Sequence, residues 1–597
     1  MGFNISKKQL TQEFTQIIQN KQYDAADKLL TTLRRNVDVN EYLTEELCVS
    51  AAFLYHTLGK RDTEFLYIKA GFTLNQRSPE LFISLADYYS EVNVCQSLIC
   101  LHQALFYAER ENKNALAEQI KEMINDIDNN GFFVHKTSFV ILSFNTLGYI
   151  RQCLDSIKAT IPLDSCQIVV VDNASTDGSV EYLRSLDWIT LVENKENRGF
   201  PGGCNDGIAV ADKENDIYLL NSDTILPLNA FFWLKMGLYE NDNVGSTGSL
   251  TNYAANGQAV NSDDWKTLDD VIMYGINTNI PIDYPYEYKM YLVGFSQLIK
   301  RSVINEVGLL DERFFPGNSE DIDIGFRILK SGKLNVLCHN SFVFHYGSKS
   351  FAELQKHGND YNLLLSRNNK KLEEKLGFKP WYYMFARSEL ISEIKAERNA
   401  NIRILEVGCG MGGSASLIKT VFPNAEYFGI EYNIEAGAYA KAFGDVTIGD
   451  AEDISYEDIY HDEYFDYVVF GDVLEHLHEP VQVLRKIYPC IKKDGHIIVS
   501  MPNVKHWSVM LPLLREDKFT YEDAGILDRT HLKMYTGTEI KRLITESDFN
   551  VEKEMYTQFG QPDEKGLEQL KLLAVIFNIQ DLTSFMAYQY VFVAKKS

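Results

Sequence analysis

The polar residues able to do chemistry fall where apolar runs stop. Ser143-Phe144-Asn145 follows TSFVIL, and Asp172-Asn173-Ala174-Ser175-Thr176-Asp177-Gly178 follows QIVVV. Asn197-Arg198-Gly199-Phe200 leads into Gly202-Gly203-Cys204-Asn205, and Asn221-Ser222-Asp223 follows IYLL. Later come Gly317-Asn318-Ser319-Glu320-Asp321-Ile322-Asp323 and His345. An aspartate such as Asp172 can accept hydrogen bonds from a nucleoside base or ribose. A diphosphate leaving group concentrates negative charge, which a divalent cation neutralises as a Lewis acid. Magnesium or manganese suits carboxylate ligands, and manganese also accepts imidazole; Asp223 and His345 are the candidate ligands. A hydroxyl acceptor ionises far above neutrality and needs a base within reach. Asp321 is the candidate, with Glu320 beside it.

A second constellation begins at Glu406-Val407-Gly408-Cys409-Gly410-Met411-Gly412, after the apolar RIL. Its glycines allow a tight turn and close approach of a ligand to backbone. Glu431, at the end of YFGI about twenty residues on, can bind both hydroxyls of a ribose. Asp450, in VTIGDAED, can meet an adenine amino group, and Asp472 is the second residue of GDVLEHL. His476 and His531, the latter in DRTHLKMYT, are candidate bases on an acceptor side. By itself a glycine turn with a distal acid also fits dinucleotide binding. Taken singly, these residues have plainer readings: Asp172 as a helix cap, Glu320 and Asp321 as first-turn acids, the histidines as structural.

The elements that would position these groups are legible. From Lys136, short β-branched and aromatic runs alternate with helical stretches such as YIRQCLDSIKAT and SVEYLRSL, which predicts a parallel sheet covered by helices on both faces. Ligand residues then belong at the carboxyl ends of the strands. The alternation resumes at Arg403 and runs to QYVFVAKK. Between them, 356–400 is charged and helical around the aromatic patch PWYYMF and reads as a connection. Residues 1–130 show apolar spacing of three and four, as in Tyr23-Ala26-Leu29-Leu30-Leu33, and little glycine or proline. Segments there recur at about one tetratricopeptide period.

These motifs carry two resemblances. In the family's order, SFVILSFNTLGYIRQCLDSI, VVVDNASTDGS, ENRGFPGGCNDGI, LLNSDT and SEDIDIGFRI resemble a family 2 inverting glycosyltransferase of the rhamnosyl or galactofuranosyl type. The resemblance implies the nucleotide-diphospho-sugar (GT-A) fold over 136–355. It implies Asp172 on the nucleoside, Ser143, Asn145, Asn197, Gly203 and Asn221 around the donor, Asp223 and His345 on the cation, and Asp321 as base. One departure is that Asn221 stands at the first position of the Asp-x-Asp motif. The set from ILEVGCG through GDAED, GDVLEHL and IIVSMPN resembles a Rossmann-like class I methyltransferase, over 401–597. That implies S-adenosylmethionine held by Glu406, Gly408, Gly410, Glu431, Asp450 and Asp472.

The expected chain is therefore multidomain: an all-α, tetratricopeptide-like region (1–130), a transferase of GT-A fold (136–355), a helical connection (356–400) and a methyltransferase (401–597). Its expected partners are a nucleotide sugar, plausible as dTDP-rhamnose or a UDP-sugar, and a glycan or glycoprotein acceptor. A protein could dock on the helical region, since stacked helix pairs offer a concave surface. The alternatives are a scaffold with one degenerate catalytic half, a methyltransferase acting on an unrelated small molecule, and a dinucleotide-dependent oxidoreductase in the last third. The formal net charge of −25 over 597 residues disfavours nucleic acid as a partner. No apolar run approaches the ~18–20 residues that span a bilayer. The polar start is unlike a signal peptide, and the nine scattered cysteines form no CxxC pair. A cytoplasmic setting follows, at most peripheral at the inner face of the membrane.

Overall fold

The computed structural model describes residues 6–36, 39–347 and 361–597. The remainder of the expected transferase segment (348–355) and the start of the expected connection (356–360) lie outside the described residues. The chain divides into two compact units, Met1–Leu372 and Glu373–Ser597.

The first unit opens with helices, including Lys7–Gln19, Tyr23–Asn36, Glu45–Thr57, Arg61–Leu74, Pro79–Ser90, Val94–Arg110 and Asn114–Asn129. Their starts are chemically marked. Thr44, Ser78 and Asn93 each accept a backbone N–H with their side chains, satisfying a donor that the first turn cannot pair. The strands follow: β1 (Thr137–Ser143), β2 (Cys166–Asp172), β3 (Thr190–Glu193), β4 (Asp216–Asn221), β5 (Thr224–Ile225), β6 (Val244–Leu250), β7 (Tyr286–Lys289), β8 (Ser296–Ile299), β9 (Leu334–Phe342) and β10 (Phe344–His345). Eight of these form one sheet in the order β3-β2-β1-β4-β8-β6-β9-β7. It is mixed, not purely parallel as the alternation predicts: β8 runs antiparallel to both β4 and β6, and β7 antiparallel to β9. The helix–strand alternation that signals parallel pairing stops after β4, so pattern reasoning carries no further there.

The helix Ala230–Leu238 (AFFWLKMGL) joins the helical region to this sheet. It is apolar nearly all round, the mark of a helix buried on more than one side. Toward the sheet, a Cβ at Gly237 would come within 2.5 Å of Cys338 Sγ. Toward the N-terminal helices, Phe232 meets Phe82 edge-on with centroids 5.0 Å apart, and Trp233 packs on Phe72. Each such side chain contributes about 2–3 kcal/mol by burial. Tyr107 donates to Asn229 Oδ1 at 2.9 Å, satisfying a polar pair in the same core.

The second unit holds β11 (Arg403–Val407), β12 (Glu426–Glu431), β13 (Asp445–Ile448), β14 (Phe465–Gly471), β15 (Ile491–Pro502), β16 (Phe549–Thr557) and β17 (Gln589–Lys596), in the order β13-β12-β11-β14-β15-β17-β16. The first five pair in parallel, and β17 is antiparallel to both β15 and β16. The unit also includes residues read from sequence as connection. Short helices at Pro380–Tyr383 and Ser388–Ile391 precede β11, and Tyr383 and Met384 lie against its glycine turn. An aromatic patch that must be covered is better placed against a core than between cores. No described helix is long and apolar enough to cross a membrane.

Candidate active sites

In the first unit the register sets the chemistry. Ser143 pairs with Asp172, and Leu142 with Asn221, so the carboxyl ends of β1, β2 and β4 form one edge. Asp172 is buried; its Oδ1 accepts from Ser175 N at 2.8 Å, while its Oδ2 is buried with no partner. Burial raises its pKa. A bare buried carboxylate oxygen is costly unless a ligand donates to it, so Asp172 is built to be completed. Asn145, in the left-handed region at φ 52°, accepts from Thr176 N at 2.8 Å and ties the ends of β1 and β2 together. Asn173 donates to Asn197 Oδ1 and Gly199 O, fixing the turn before the helix Gly199–Val210. Gly203 serves packing: a Cβ there would stand 2.3 Å from Leu142 Cδ1. Arg198 is engaged by Asp206 at 2.7 Å and Glu312 at 2.9 Å.

The two-residue ladder of β5 and β10 sets His345 opposite Thr224, beside Asp223. Asn252 brackets the histidine, accepting from its N–H and donating to its carbonyl. Its Nδ1 contacts the Tyr253 carbonyl at 2.9 Å, and since a carbonyl only accepts, that nitrogen carries the proton. Nε2 then turns toward Asp223 Oδ1 at 3.2 Å, with Asn221 Nδ2 at 3.4 Å. A ring lone pair and a carboxylate that face one another in a buried place can share one cation. A histidine whose other nitrogen is pinned by a carbonyl is the usual form of a metal ligand. Asn221 Oδ1 is buried without a partner, so the residues present fit a divalent cation with a ligand beyond it. Sequence reasoning missed Asn252 and Tyr253, because only long-range pairing brings them to His345.

Asp321 lies in the first turn of the helix Glu320–Lys330. Its Oδ2 accepts from Gly294 N at 3.3 Å and its Oδ1 from Ile322 N at 2.9 Å. Burial raises its pKa, and burial together with the Asp321 charge pushes Glu320 well above the carboxylate range. Asn318 and Ser319, just before it, hold positive φ (72° and 77°), a strained approach typical of functional loops. Phe200 N donates to Pro316 O at 2.7 Å, fastening this loop to the Asn197–Phe200 turn.

In the second unit the glycine turn follows β11. Gly408, at φ 75°, leaves room for Val473, which a Cβ would meet at 2.4 Å. At Gly410, φ 55°, a Cβ would meet Tyr383 O at 2.3 Å, and that carbonyl accepts from Met411 N at 2.8 Å. The close approach expected for a ligand is thus made at Gly410 by the chain itself. Glu406 is buried, accepts from Tyr427 OH at 2.7 Å and is pushed up to about 7 by burial. Glu431 ends β12; its carboxylate accepts from Gly410 N at 2.7 Å and Asn433 N at 2.8 Å. Tyr432 and Ile434, which follow it, are 75% and 68% exposed, apolar surface available to cover an adenine. Asp450 follows β13 and caps its own turn, its Oδ1 accepting from Glu452 N at 2.9 Å. The strand-end acids and the exposed aromatic fit S-adenosylmethionine.

Asp472, at φ 56°, binds Arg387 and accepts from Ser500 Oγ at 2.8 Å and Gln589 Nε2 at 2.6 Å. Arg387 and Gln589 carry no motif and were not legible from sequence. His476 and His531 meet with ring centroids 4.8 Å apart, and Glu475 lies beside them.

Residues 138–308 match the family model described as glycosyl transferase family 2, and residues 378–554 that of a methyltransferase domain. The poly(ribitol-phosphate) beta-glucosyltransferase of Bacillus spizizenii is 28% identical over 215 residues, 35% of this chain and 32% of that protein. A Mycolicibacterium smegmatis protein named "Probable S-adenosylmethionine-dependent methyltransferase" is 30% identical over 124 residues, 20% of this chain and 46% of that one. The chain thus spans less than half the length of either relative. A solved mannosyltransferase from Pyrobaculum calidifontis, in complex with GDP-Man and Mn2+, aligns at 17% identity over 42% of this chain and 72% of that one, with a TM-score of 0.28. The chain joins a family 2 glycosyltransferase domain to a methyltransferase domain.

Proposed function

We propose that the first unit transfers a sugar, with inversion, from a nucleotide-sugar donor to a glycan or glycoprotein acceptor, and that the second methylates a hydroxyl of the same glycan. Asp172 holds the nucleoside through its bare oxygen. Asp223 and His345 hold a divalent cation, which when bound neutralises the charge of the leaving diphosphate. Asp321 takes the proton of the acceptor hydroxyl as that oxygen attacks the anomeric carbon from the face opposite the leaving group. Among donors, dTDP-rhamnose and UDP-sugars are the first to try, and a surface polysaccharide or flagellin-type glycan is the destination proposed. Tethering raises the local concentration of one product at the next site.

The observation that carries this reading is a pair of buried oxygens without partners on one sheet edge, Asp172 Oδ2 and Asn221 Oδ1, with His345 Nε2 set 3.2 Å from Asp223 Oδ1 beside them. The test is release of nucleoside diphosphate from UDP-, dTDP- and GDP-sugars with manganese or magnesium, with and without glycan acceptors. Acceptor-stimulated, metal-dependent release from one donor class is expected. No release from any donor under any metal would sink the reading. Recovery of labelled methyl only on compounds without a sugar would remove the second half.

A further inference from the structure

We infer that Glu475, His476 and His531 form a second divalent-cation site, in the methyltransferase unit, that binds and activates the methyl acceptor. The inference rests on the reading of that unit as a methyltransferase. The ligand atoms of the three residues all lie within 4.8 Å of one another. His531 Nδ1 sits 2.9 Å from the Ile526 carbonyl and His476 Nδ1 3.2 Å from the Thr530 carbonyl, so both Nδ1 atoms carry the proton. Both Nε2 atoms therefore present lone pairs. Glu475 is fully buried, and neither of its carboxylate oxygens has a hydrogen-bond partner. The nearest approach, His531 Nε2 to Glu475 Oε1, is 3.9 Å, too long for a hydrogen bond.

Three acceptors thus converge with no donor among them, and one proton could serve only a single pair. A cation serves all three. Two imidazoles pinned from behind and one carboxylate suit a first-row transition ion such as manganese, iron(II) or zinc better than magnesium or calcium. The place is right for an acceptor. Glu475 and His476 lie in the turn Leu474–His476 that follows β14 and Asp472, and Val473 of the same turn packs over Gly408 of the glycine turn.

Three protein ligands leave coordination positions open, as catalytic rather than structural sites do. Two neighbouring hydroxyls of a sugar would fill them, which makes a vicinal diol the acceptor class. A hydroxyl held by Glu475, His476 and His531 through a bound cation would give its proton to solvent base more readily than the free alcohol does. The alkoxide oxygen then attacks the sulfonium methyl carbon; the new C–O bond forms as the C–S bond breaks, and S-adenosylhomocysteine leaves.

The test uses full-length protein carrying Asp223→Ala, which silences the transferase cation site. Manganese binding is followed by electron paramagnetic resonance, and the melting temperature is read with and without manganese or zinc. The Asp223→Ala protein is expected to keep one bound cation and to melt higher with it. Adding Glu475→Gln, which fills the same space, or His531→Gln should weaken binding by more than ~100-fold and abolish the shift, with folding of each checked by circular dichroism. No bound cation in Asp223→Ala, or binding unchanged by both added substitutions, would overturn the site. S-adenosylmethionine binding is measured in parallel: its absence would fail the methyltransferase reading, and its presence without a bound cation would fail the metal site alone.

Discussion

The two units each set imidazole beside carboxylate past a strand end, yet they distribute the work differently. In the first unit the polar groups are spread along an edge. Asp172 ends β2, Asn221 ends β4, and His345 reaches Asp223 only through the short β5–β10 ladder. Asp172 Oδ2 and Asn221 Oδ1 are buried without partners at separate strand ends, as a long donor with a base, a diphosphate and a sugar would require. In the second unit the glycine turn is already occupied by Tyr383, while Glu475, His476 and His531 converge on one point. An extended row of acceptors suits an extended ligand; a converging group suits an ion. The strand ends decide where chemistry happens, and long-range pairing decides what it is.

The largest expected effect separates base from binding in the first unit. Asp321→Asn should lower sugar transfer by roughly 10³-fold while donor affinity holds, measured as turnover against calorimetric binding. In the parent protein, transfer should fall as pH drops through a midpoint above the ordinary aspartate range, because burial raises Asp321 and only its ionised form accepts the proton. Comparable turnover in the variant would remove Asp321 from the mechanism.

Next in size is a stability contrast in the second unit. Glu406 has a folded pKa of about 7 against 4.5 unperturbed. Its stabilising contribution is complete below about pH 4.5 and is lost as pH rises through about 7, a change of roughly 3 kcal/mol. Glu406→Gln keeps the Tyr427 contact and should flatten that slope in denaturant titrations at several pH values. An unchanged slope would mean that the buried carboxylate is compensated elsewhere.

Much of this was legible beforehand, for physical reasons. An apolar β-branched run that stops at an acid marks a strand end: Asp172 ends β2 and Glu431 ends β12, while Asp223 and Asp472 follow β4 and β14. Gly410 was found too, but its neighbour was not. The residue that needs its missing Cβ is Tyr383, from a stretch whose aromatic composition alone reads as linker. Arg387, Gln589, Asn252 and Tyr253 were invisible because each acts through pairing distant in sequence. Glu475 was passed over beside His476, since burial that strips a carboxylate of partners leaves no trace in composition.

Two smaller effects probe those missed contacts. Gly410→Ala forces a Cβ against the Tyr383 carbonyl at positive φ and should cost about 2 kcal/mol, read from chemical denaturation. Asn252→Ala releases the clamp on His345 and should weaken cation binding in the first unit by ~10-fold with little loss of stability. A cation affinity unchanged by Asn252→Ala would show that His345 needs no such support.

The most direct measurement of the central claim, two independent active sites on one chain, is calorimetry of a nucleotide sugar with manganese and of S-adenosylmethionine on the same protein and two variants. Asp223→Ala should lose the metal-dependent nucleotide sugar and keep S-adenosylmethionine, and Glu431→Ala should do the reverse. Loss of both ligands in either variant, or of neither in both, would contradict the account.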